Sequence, residues 1–436
     1  MNDVAVVVLD TLRYDSFNEH FDWLPGKRFE NCYSTSHWTI PAHASLFTGK
    51  YPSEIAVHGK SPSLSVDFET LPELLSNQGY HNSLFSANPQ ITMWDGWESG
   101  FDTFVGPSNL SIRNDDVVDW EEFYANNESS GIRKYVDALR HCFFSDGKVL
   151  PSIRQGIKME LSTADGGSEK ILERLRNTSF ESDNFLFLNI MDAHTPYDPP
   201  EEYCDVDTPV DVVLGDALSD NVDDPDEIRE AYNGSVEYLS DMYEKIFSIL
   251  EKQFDYVITL SDHGEMLGEQ DLWNHSYGIY PELTHVPLVI SGSNCKSESR
   301  KEVVSILDVH KTICEMCGVS ADSRGQDLLS SVDSRDYVVE YHGLLKWHLA
   351  QFEKKGVAED MYNQLDCQLS GFVDRRNRYA YEEHDGCLTS KSELSETEAE
   401  SILEDLIAEL DRKEITASTM DVDTDVMSRL EDLGYA

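Results

Sequence analysis

VAVVVLD, residues 4–10, is an unbroken apolar run that ends on an aspartate. A strand with no polar residue on either side is covered on both faces, as the central strands of parallel sheets are. The carboxyl end of such a strand is where an open α/β sheet carries its chemistry, and Asp10 stands there. Three further runs share the pattern: FLFLNI (185–190), DYVITL (255–260) and VPLVI (286–290). The first two of these are followed at once by polar clusters, MDAHTPY and SDHGE. Between the runs, TLPELLSNQG (70–79), residues 227–252 and residues 305–317 have helical spacing, with Thr70 as an N-cap ahead of Pro72. Strands alternating with helices predict an α/β fold with a mostly parallel sheet flanked by helices.

The chain has 436 residues, more than a single core usually supports. The change in composition after Gly325 divides it into a larger α/β domain at 1–325 and a smaller C-terminal α+β subdomain at 326–436. Within the first, residues 107–170 lack strand signals and read as an insertion over one sheet edge, and the acidic stretch 205–227 reads as a surface loop. Within the second, strands are predicted at 336–341 and 371–381 and a helix at 394–412, before the tail MSRLEDLGYA.

Against 34 lysines and arginines stand 82 aspartates and glutamates, a net charge of −48. The acids are spread along the whole chain, which points to a halophilic protein working in concentrated salt, where the Debye length shrinks to roughly 3 Å at 1 M and self-repulsion is screened. No basic stripe exists to neutralise phosphates, so nucleic acid is excluded as a partner. Hydrophobic residues make up 40% of the chain, which argues for a packed core rather than disorder. The opening residues show no leader pattern and no apolar run reaches the ~20 residues a membrane span needs, so the expectation is a cytoplasmic protein with no membrane span. The eight scattered cysteines fit reduced thiols. Cys314 and Cys317 form a CxxC without a second pair at zinc-site spacing, and read as packing residues.

Five constellations carry chemistry. Asp10 closes the first strand. Thr39, in TSHWTIPAHASLFTGKYP (35–52), precedes a proline-containing turn and a small-residue helix at 41–48, where unpaired N–H groups favour an anion. Asp262 and His263 follow a strand end and offer one oxygen and one nitrogen to a divalent ion. His194 and His275 stand in MDAHTPYDPP and LWNHSYG. Taken singly each has a structural reading, such as an N-cap, a turn or a packed histidine. Clustered just past buried strands, they suggest a site.

The string TIPAHASLFTGKYP (39–52) resembles the sulfatase signature, in which a cysteine or serine, any residue, a proline and an L-x-T-G stretch surround the nucleophile. SDHGEMLGEQDLWNHSYGIYPELTHVPLVI (261–290) is similar to the metal and catalytic segment of that family, and MDAHTPYDPP (191–200) to its central histidine motif. The resemblance continues in SANPQ (86–90), GFDTF (100–104), YNGSVEYLSDMYEKI (232–246), SILDVHKTICEMCGVSADSRGQDL (305–328) and LEDLGYA (430–436). Motifs in this order are more specific than any one alone.

The resemblance to the sulfatase-like branch of the alkaline phosphatase superfamily implies an alkaline-phosphatase-like fold and a metal-dependent hydrolase of sulfate or phosphate esters. It implies a covalent intermediate on Thr39, with Asp10, Asp262, His263 and Thr39 as metal ligands. It further implies His194 and His275 as catalytic groups flanking the ester, and Asn88 and His43 as substrate contacts. One divalent ion is implied: Mn²⁺, Mg²⁺ or Ca²⁺ suit hard oxygens with one imidazole, and Zn²⁺ is compatible. The chain departs from the pattern in having Asp10–Thr11 where many sulfatases have two adjacent acids, and His43 where an arginine is usual. It also has threonine at the nucleophile position, which cannot become formylglycine; threonine nucleophiles are familiar in related phosphodiesterases, nucleotide pyrophosphatases and lipoteichoic-acid-synthase-like phosphotransferases. The expected substrate is a small-molecule or glycan ester. Alternatives are a phosphodiesterase or phosphotransferase acting on glycan or cell-surface precursors, and an inactive glycan-binding homologue. Oligomeric state is not legible in the sequence.

Overall fold

The computed structural model describes residues 1–107, 110, 166–181, 183–212, 222, 224–292, 295–345, 348–349, 352 and 359–413. Most of the expected insertion, part of the loop 205–227 and the C-terminal tail lie outside the described residues.

The run VAVVVL forms strand β1 (Val4–Leu9), buried along its whole length. Its alternate side chains go to opposite faces, as a strand requires. Val4, Val6 and Val8 join a core cluster with Phe47, Leu75 and Ile313, on the side of helices Thr39–Thr48, Leu71–Gln78 and Ile306–Cys317. Ala5, Val7 and Leu9 join a second cluster with Leu172 and Tyr243, on the side of helices Ser168–Asn177 and Pro225–Gln253. Each fully buried Val or Leu side chain contributes about 1.5–3 kcal/mol, so a strand with no polar residue is stable only in the middle of such a layered arrangement.

In chain order the remaining strands of this sheet are β2 (Lys27–Tyr33), β3 (His81–Ser86), β4 (Thr103–Val105), β5 (Asn184–Ile190), β6 (Tyr256–Leu260), β7 (His285–Gly292) and β8 (Glu298–Ser305). They lie in the order β4-β3-β5-β1-β6-β7-β2-β8. β1 pairs parallel to β5, with Val4 opposite Phe185, and parallel to β6, with Val4 opposite Tyr256. Equal registers bring Asp10, Asn189 and Asp262 to the same end of three adjacent strands. β7 runs antiparallel to both neighbours, so the sheet is mostly, not wholly, parallel. That reversal keeps the segment 261–284 at the carboxyl end of β6, above Asp10.

A separate antiparallel sheet, β12-β11-β10-β9, comprises β9 (Tyr337–Tyr341), β10 (Leu369–Val373), β11 (Tyr379–Glu382) and β12 (Leu388–Ser390). The single strand expected at 371–381 is instead a hairpin. Asp374 accepts from the N–H groups of Arg376 and Arg378, and Asn377 takes φ 61°, which turns the chain between β10 and β11. Helix Glu396–Ala408 covers this sheet through Ala399 and Leu403, which pack on Phe372 and Ala380. The two sheets meet where Glu340 N–H donates to Thr35 O at 2.9 Å and Ser36 Oγ donates to Glu340 O at 2.7 Å.

Candidate active site

Helix Thr39–Thr48 begins two residues earlier than its sequence suggests. Trp38, extended at φ −148° and ψ 157°, is the N-cap and Thr39 the first helical residue. Pro41 falls in the first turn, where its missing N–H costs nothing. Gly49, in the left-handed region at φ 66°, closes the helix. Thr39 therefore does not cap the helix, and its side chain is free to serve the site.

Thr39 Oγ1 lies 3.3 Å from His263 Nε2 and 3.2 Å from Asn88 Nδ2. Asn88 donates from the same nitrogen to Asp10 Oδ2 at 2.8 Å. Its Oδ1 accepts from Gln90 N–H at 2.8 Å, which fixes which way the amide faces. Asp10 Oδ2 also accepts from Asn189 Nδ2 at 2.9 Å. His43 is fully buried behind the threonine. It donates from Nδ1 to Thr39 O at 2.9 Å, and its Nε2 accepts from Asn189 Nδ2 at 3.3 Å. With both nitrogens engaged inside the protein, His43 braces the backbone of Thr39. Burial holds its pKa down at about 4, so the ring is neutral.

Asp10, Asp262 and His263 are all 0% exposed, and one ligand atom from each lies within 4.8 Å of the others. His263 Nδ1 donates to Gly264 O at 2.9 Å, which in the neutral ring turns the Nε2 lone pair toward the two carboxylates. Asp10 Oδ1 and Asp262 Oδ2, each 3.6 Å from that nitrogen, have no hydrogen-bond partner. Burial and the neighbouring Asp10 charge push the Asp262 pKa well above the usual carboxylate range. Burial also works against Asp10, but His263, His194, Asn189 and Asn88 outweigh it and its pKa is lowered. Two orphaned carboxylate oxygens and an imidazole lone pair converging in a buried space are unfavourable alone. They fit a divalent cation, which would satisfy all three. Thr11, where a second acid would stand in many sulfatases, turns away: its Oγ1 donates to Ala193 O at 2.8 Å.

On the outer side, His194 rests edge-on against His275 with centroids 4.9 Å apart, and His275 lies 4.6 Å from the His263 ring. His194 Nδ1 donates to Thr195 O. Burial, then His275, lowers its pKa to about 4. His275 Nδ1 sits 3.0 Å from Glu265 Oε1, while Glu265 Oε2 accepts from Tyr197 Oη at 3.0 Å. Burial pushes Glu265 up to about 7.

The fold thus gathers Asp10, Thr39, Asn88, His43, Asp262, His263, His194 and His275 into one cluster. Sequence reading missed Asn189, Glu265 and Tyr197. Asn189 is the one polar residue inside the buried strand run FLFLNI, and Glu265 closes SDHGE. Both signals were present in those motifs. Cys314 and Cys317 are buried on their helix, Cys314 against His310, and no third ligand joins them among the described residues.

The sulfatase family model matches residues 6–319. A choline-sulfatase of Rhizobium meliloti is 22% identical over 334 residues, 68% of this chain and 61% of that protein, so the chain spans under two thirds of that relative's length. A phosphonate monoester hydrolase from Silicibacter pomeroyi superposes with a TM-score of 0.64 at 16% identity over 98% of both chains. A 2-O GAG sulfatase superposes with a TM-score of 0.61 at 14% identity, over 99% of this chain and 93% of that one. At such identities these structures speak for the fold, an alkaline-phosphatase-like α/β sheet with a small second sheet. The family match runs from β1 to the end of helix Ile306–Cys317 and takes in every residue of the cluster, and the chain belongs to the sulfatase family.

Proposed function

We propose that this chain is a metal-dependent hydrolase of sulfate or phosphate esters that passes the transferred group through Thr39. The observation that carries the reading is the placement of Thr39 Oγ1 3.3 Å from His263 Nε2, beside two buried carboxylate oxygens that lack partners. Asp10, Asp262, His263 and Thr39 would hold the cation; Mn²⁺, Mg²⁺ or Ca²⁺ suits this donor set, and Zn²⁺ is compatible. When bound, a divalent ion lowers the pKa of a hydroxyl it touches and neutralises an ester oxygen.

The residues supply the rest. Thr39, its proton lost to solvent, attacks the sulfur or phosphorus, and the electron pair of the breaking bond stays on the leaving oxygen. An imidazole, His275 or His194, takes up a proton from solvent in the loaded site and gives it to that oxygen. Water then attacks the threonine ester and returns a proton to the imidazole, and the Thr39 oxygen departs. Asn88, bonded to both Asp10 and Thr39, keeps the nucleophile in line with the site. The threonine, in place of the cysteine or serine of the sulfatase signature, favours phosphodiester cleavage or transfer over sulfate release. No described helix is long and apolar enough to cross a membrane. We place the protein in a salt-rich cytoplasm, acting on a small-molecule or glycan ester.

The test is a paired assay in multimolar KCl with Mn²⁺, Mg²⁺ or Ca²⁺, comparing p-nitrophenyl sulfate with bis-p-nitrophenyl phosphate. Metal-dependent cleavage of either supports the hydrolase, and faster diester cleavage supports the threonine argument. Absence of metal-dependent cleavage of both overturns it.

A further inference from the structure

We propose that Asn189 is a positioning residue that leaves Asp10 a single oxygen for the cation, and that the site therefore prefers Mn²⁺ or Zn²⁺ to Ca²⁺; this rests on the metal reading above and not on the identity of the ester.

Asn189 is the penultimate residue of β5 and is 0% exposed. Two groups face its amide nitrogen, and both accept. His43 donates from Nδ1 to Thr39 O at 2.9 Å, so in the neutral ring its Nε2, 3.3 Å from Asn189 Nδ2, carries the lone pair. Asp10 Oδ2, 2.9 Å from the same nitrogen, is a carboxylate oxygen. One N–H of the amide serves each, and a flipped amide would set its oxygen against two acceptors. His43 thus orients Asn189, and Asn189 orients Asp10.

Asp10 Oδ2 receives a second N–H from Asn88 Nδ2 at 2.8 Å. A carboxylate oxygen has two lone pairs, so two donors saturate Oδ2. Oδ1, buried and without a hydrogen-bond partner, is then the only oxygen Asp10 can offer. The other ligands are held in the same way. Asp262 Oδ1 accepts from the His263 N–H at 3.0 Å, which leaves Oδ2 without a partner. His263 offers Nε2, because Nδ1 donates to Gly264 O. Thr39 offers Oγ1, 3.3 Å from that nitrogen. Thr11 offers nothing, since its Oγ1 donates to Asp10 O at 2.7 Å and to Ala193 O at 2.8 Å.

The donor set is therefore Asp10 Oδ1, Asp262 Oδ2, His263 Nε2 and Thr39 Oγ1, with the second lone pair of Asp262 Oδ1 as the one addition. Ca²⁺ takes about six to eight oxygens, often from bidentate carboxylates. One carboxylate locked to a single oxygen and one imidazole leave it short of ligands. Cations that accept fewer ligands and bind imidazole well match this set better.

The test is calorimetric titration of the EDTA-stripped full chain in KCl with MnCl₂ and with CaCl₂, which needs no turnover. The wild type is expected to bind one Mn²⁺ and to bind Ca²⁺ more weakly. Asn189→Ala should lose about 10–100-fold in Mn²⁺ affinity, the usual effect of removing a partner behind a metal ligand. Its Ca²⁺ affinity should fall less, because the freed Oδ2 lets Asp10 hold Ca²⁺ through both oxygens, so the Mn²⁺-to-Ca²⁺ affinity ratio drops by about 10-fold. Asn88→Ala frees the other lone pair of the same oxygen and should lower the ratio too, so the test stands even where Asn189→Ala fails to fold. A merely structural role would weaken both cations equally. An unchanged ratio in both variants would overturn the proposal, as would Ca²⁺ binding as tightly as Mn²⁺ in the wild type, with the metal reading intact. A wild type that binds neither ion would overturn the metal reading and the proposal with it.

Discussion

Asp10 and Thr39, 29 positions apart in the chain, are joined by one amide: Asn88 Nδ2 lies 2.8 Å from Asp10 Oδ2 and 3.2 Å from Thr39 Oγ1. The bond fixes the threonine hydroxyl relative to the carboxylate without itself needing a metal. Asn88→Ala is expected to lower kcat by about 10–100-fold, the usual effect of removing an orienting partner, while metal content measured by elemental analysis stays near wild type. A variant that keeps full kcat would remove Asn88 from the machinery.

Thr39→Ala removes the hydroxyl proposed to attack the ester but leaves a good helix former at the first helical position. Turnover should fall by about 10³-fold or more, with the melting temperature within a few degrees of wild type. Thr39→Ser, which keeps the hydroxyl, should recover most of the activity. Near-wild-type rates in Thr39→Ala would end the nucleophile assignment.

The facing carboxylates make the metal-free protein sensitive to pH. Asp262 has a raised pKa in the fold, so between about pH 4 and that raised value the native state holds a proton the unfolded chain has released. Stability is therefore full below the unfolded pKa and falls as pH rises. The lowered Asp10 acts in the opposite sense, but only below its ordinary value of 3.8. The buried histidines held near 4 act in the opposite sense in any variant, so the carboxylate pair is read as a difference: in EDTA the wild type should lose melting temperature relative to Asp262→Asn as pH climbs from 4, and added Mn²⁺ should remove that loss in the wild type by satisfying both oxygens. Asp262→Asn should abolish metal binding. An unchanged slope or unchanged metal stoichiometry would count against the pair.

Arg412 Nη2 reaches Glu340 Oε1 at 3.1 Å, and Glu340 is buried in the junction that also holds Thr35 and Ser36 upstream of Thr39. Arg412→Ala leaves that carboxylate without its cation. Because the arginine is one third exposed, water offsets part of the loss, and destabilisation of about 1–2 kcal/mol is expected in denaturant titration.

With a net charge of −48, the surface repels itself in dilute buffer. Raising KCl shortens the Debye length from about 10 Å at 0.1 M to about 3 Å at 1 M, so the melting temperature should rise steeply over that range and then level off. A melting temperature that falls with KCl would remove the halophilic reading.

The elements legible in the sequence are those whose residues bury the same way whatever surrounds them. VAVVVL and FLFLNI carry no polar face and could only be central strands, and Thr70 ahead of Pro72 announces a helix start, which Glu73 secures by accepting from the Thr70 N–H at 2.8 Å. The strands that escaped, such as KRFENCY and ESRKEVVS, lie toward one edge of the sheet, where one side meets water and polar residues are tolerated. The hairpin at 369–382 escaped because its turn, DRRNR, is charged rather than glycine-rich.

For the site, the sequence by itself determined the chemistry: acids, a hydroxyl and imidazoles placed directly after buried strands, which have to emerge at one end of the sheet. Only the tertiary structure decided their arrangement. Parallel pairing of β1 with β5 and β6 sets Asp10, Asn189 and Asp262 side by side, and the antiparallel return of β7 holds Glu265 under His275. It also turns Thr11 to a backbone carbonyl and His43 inward to Thr39. Which atom of a polar side chain faces the site depends on what its other atoms bond to, and those partners come from segments as far as 224 residues away.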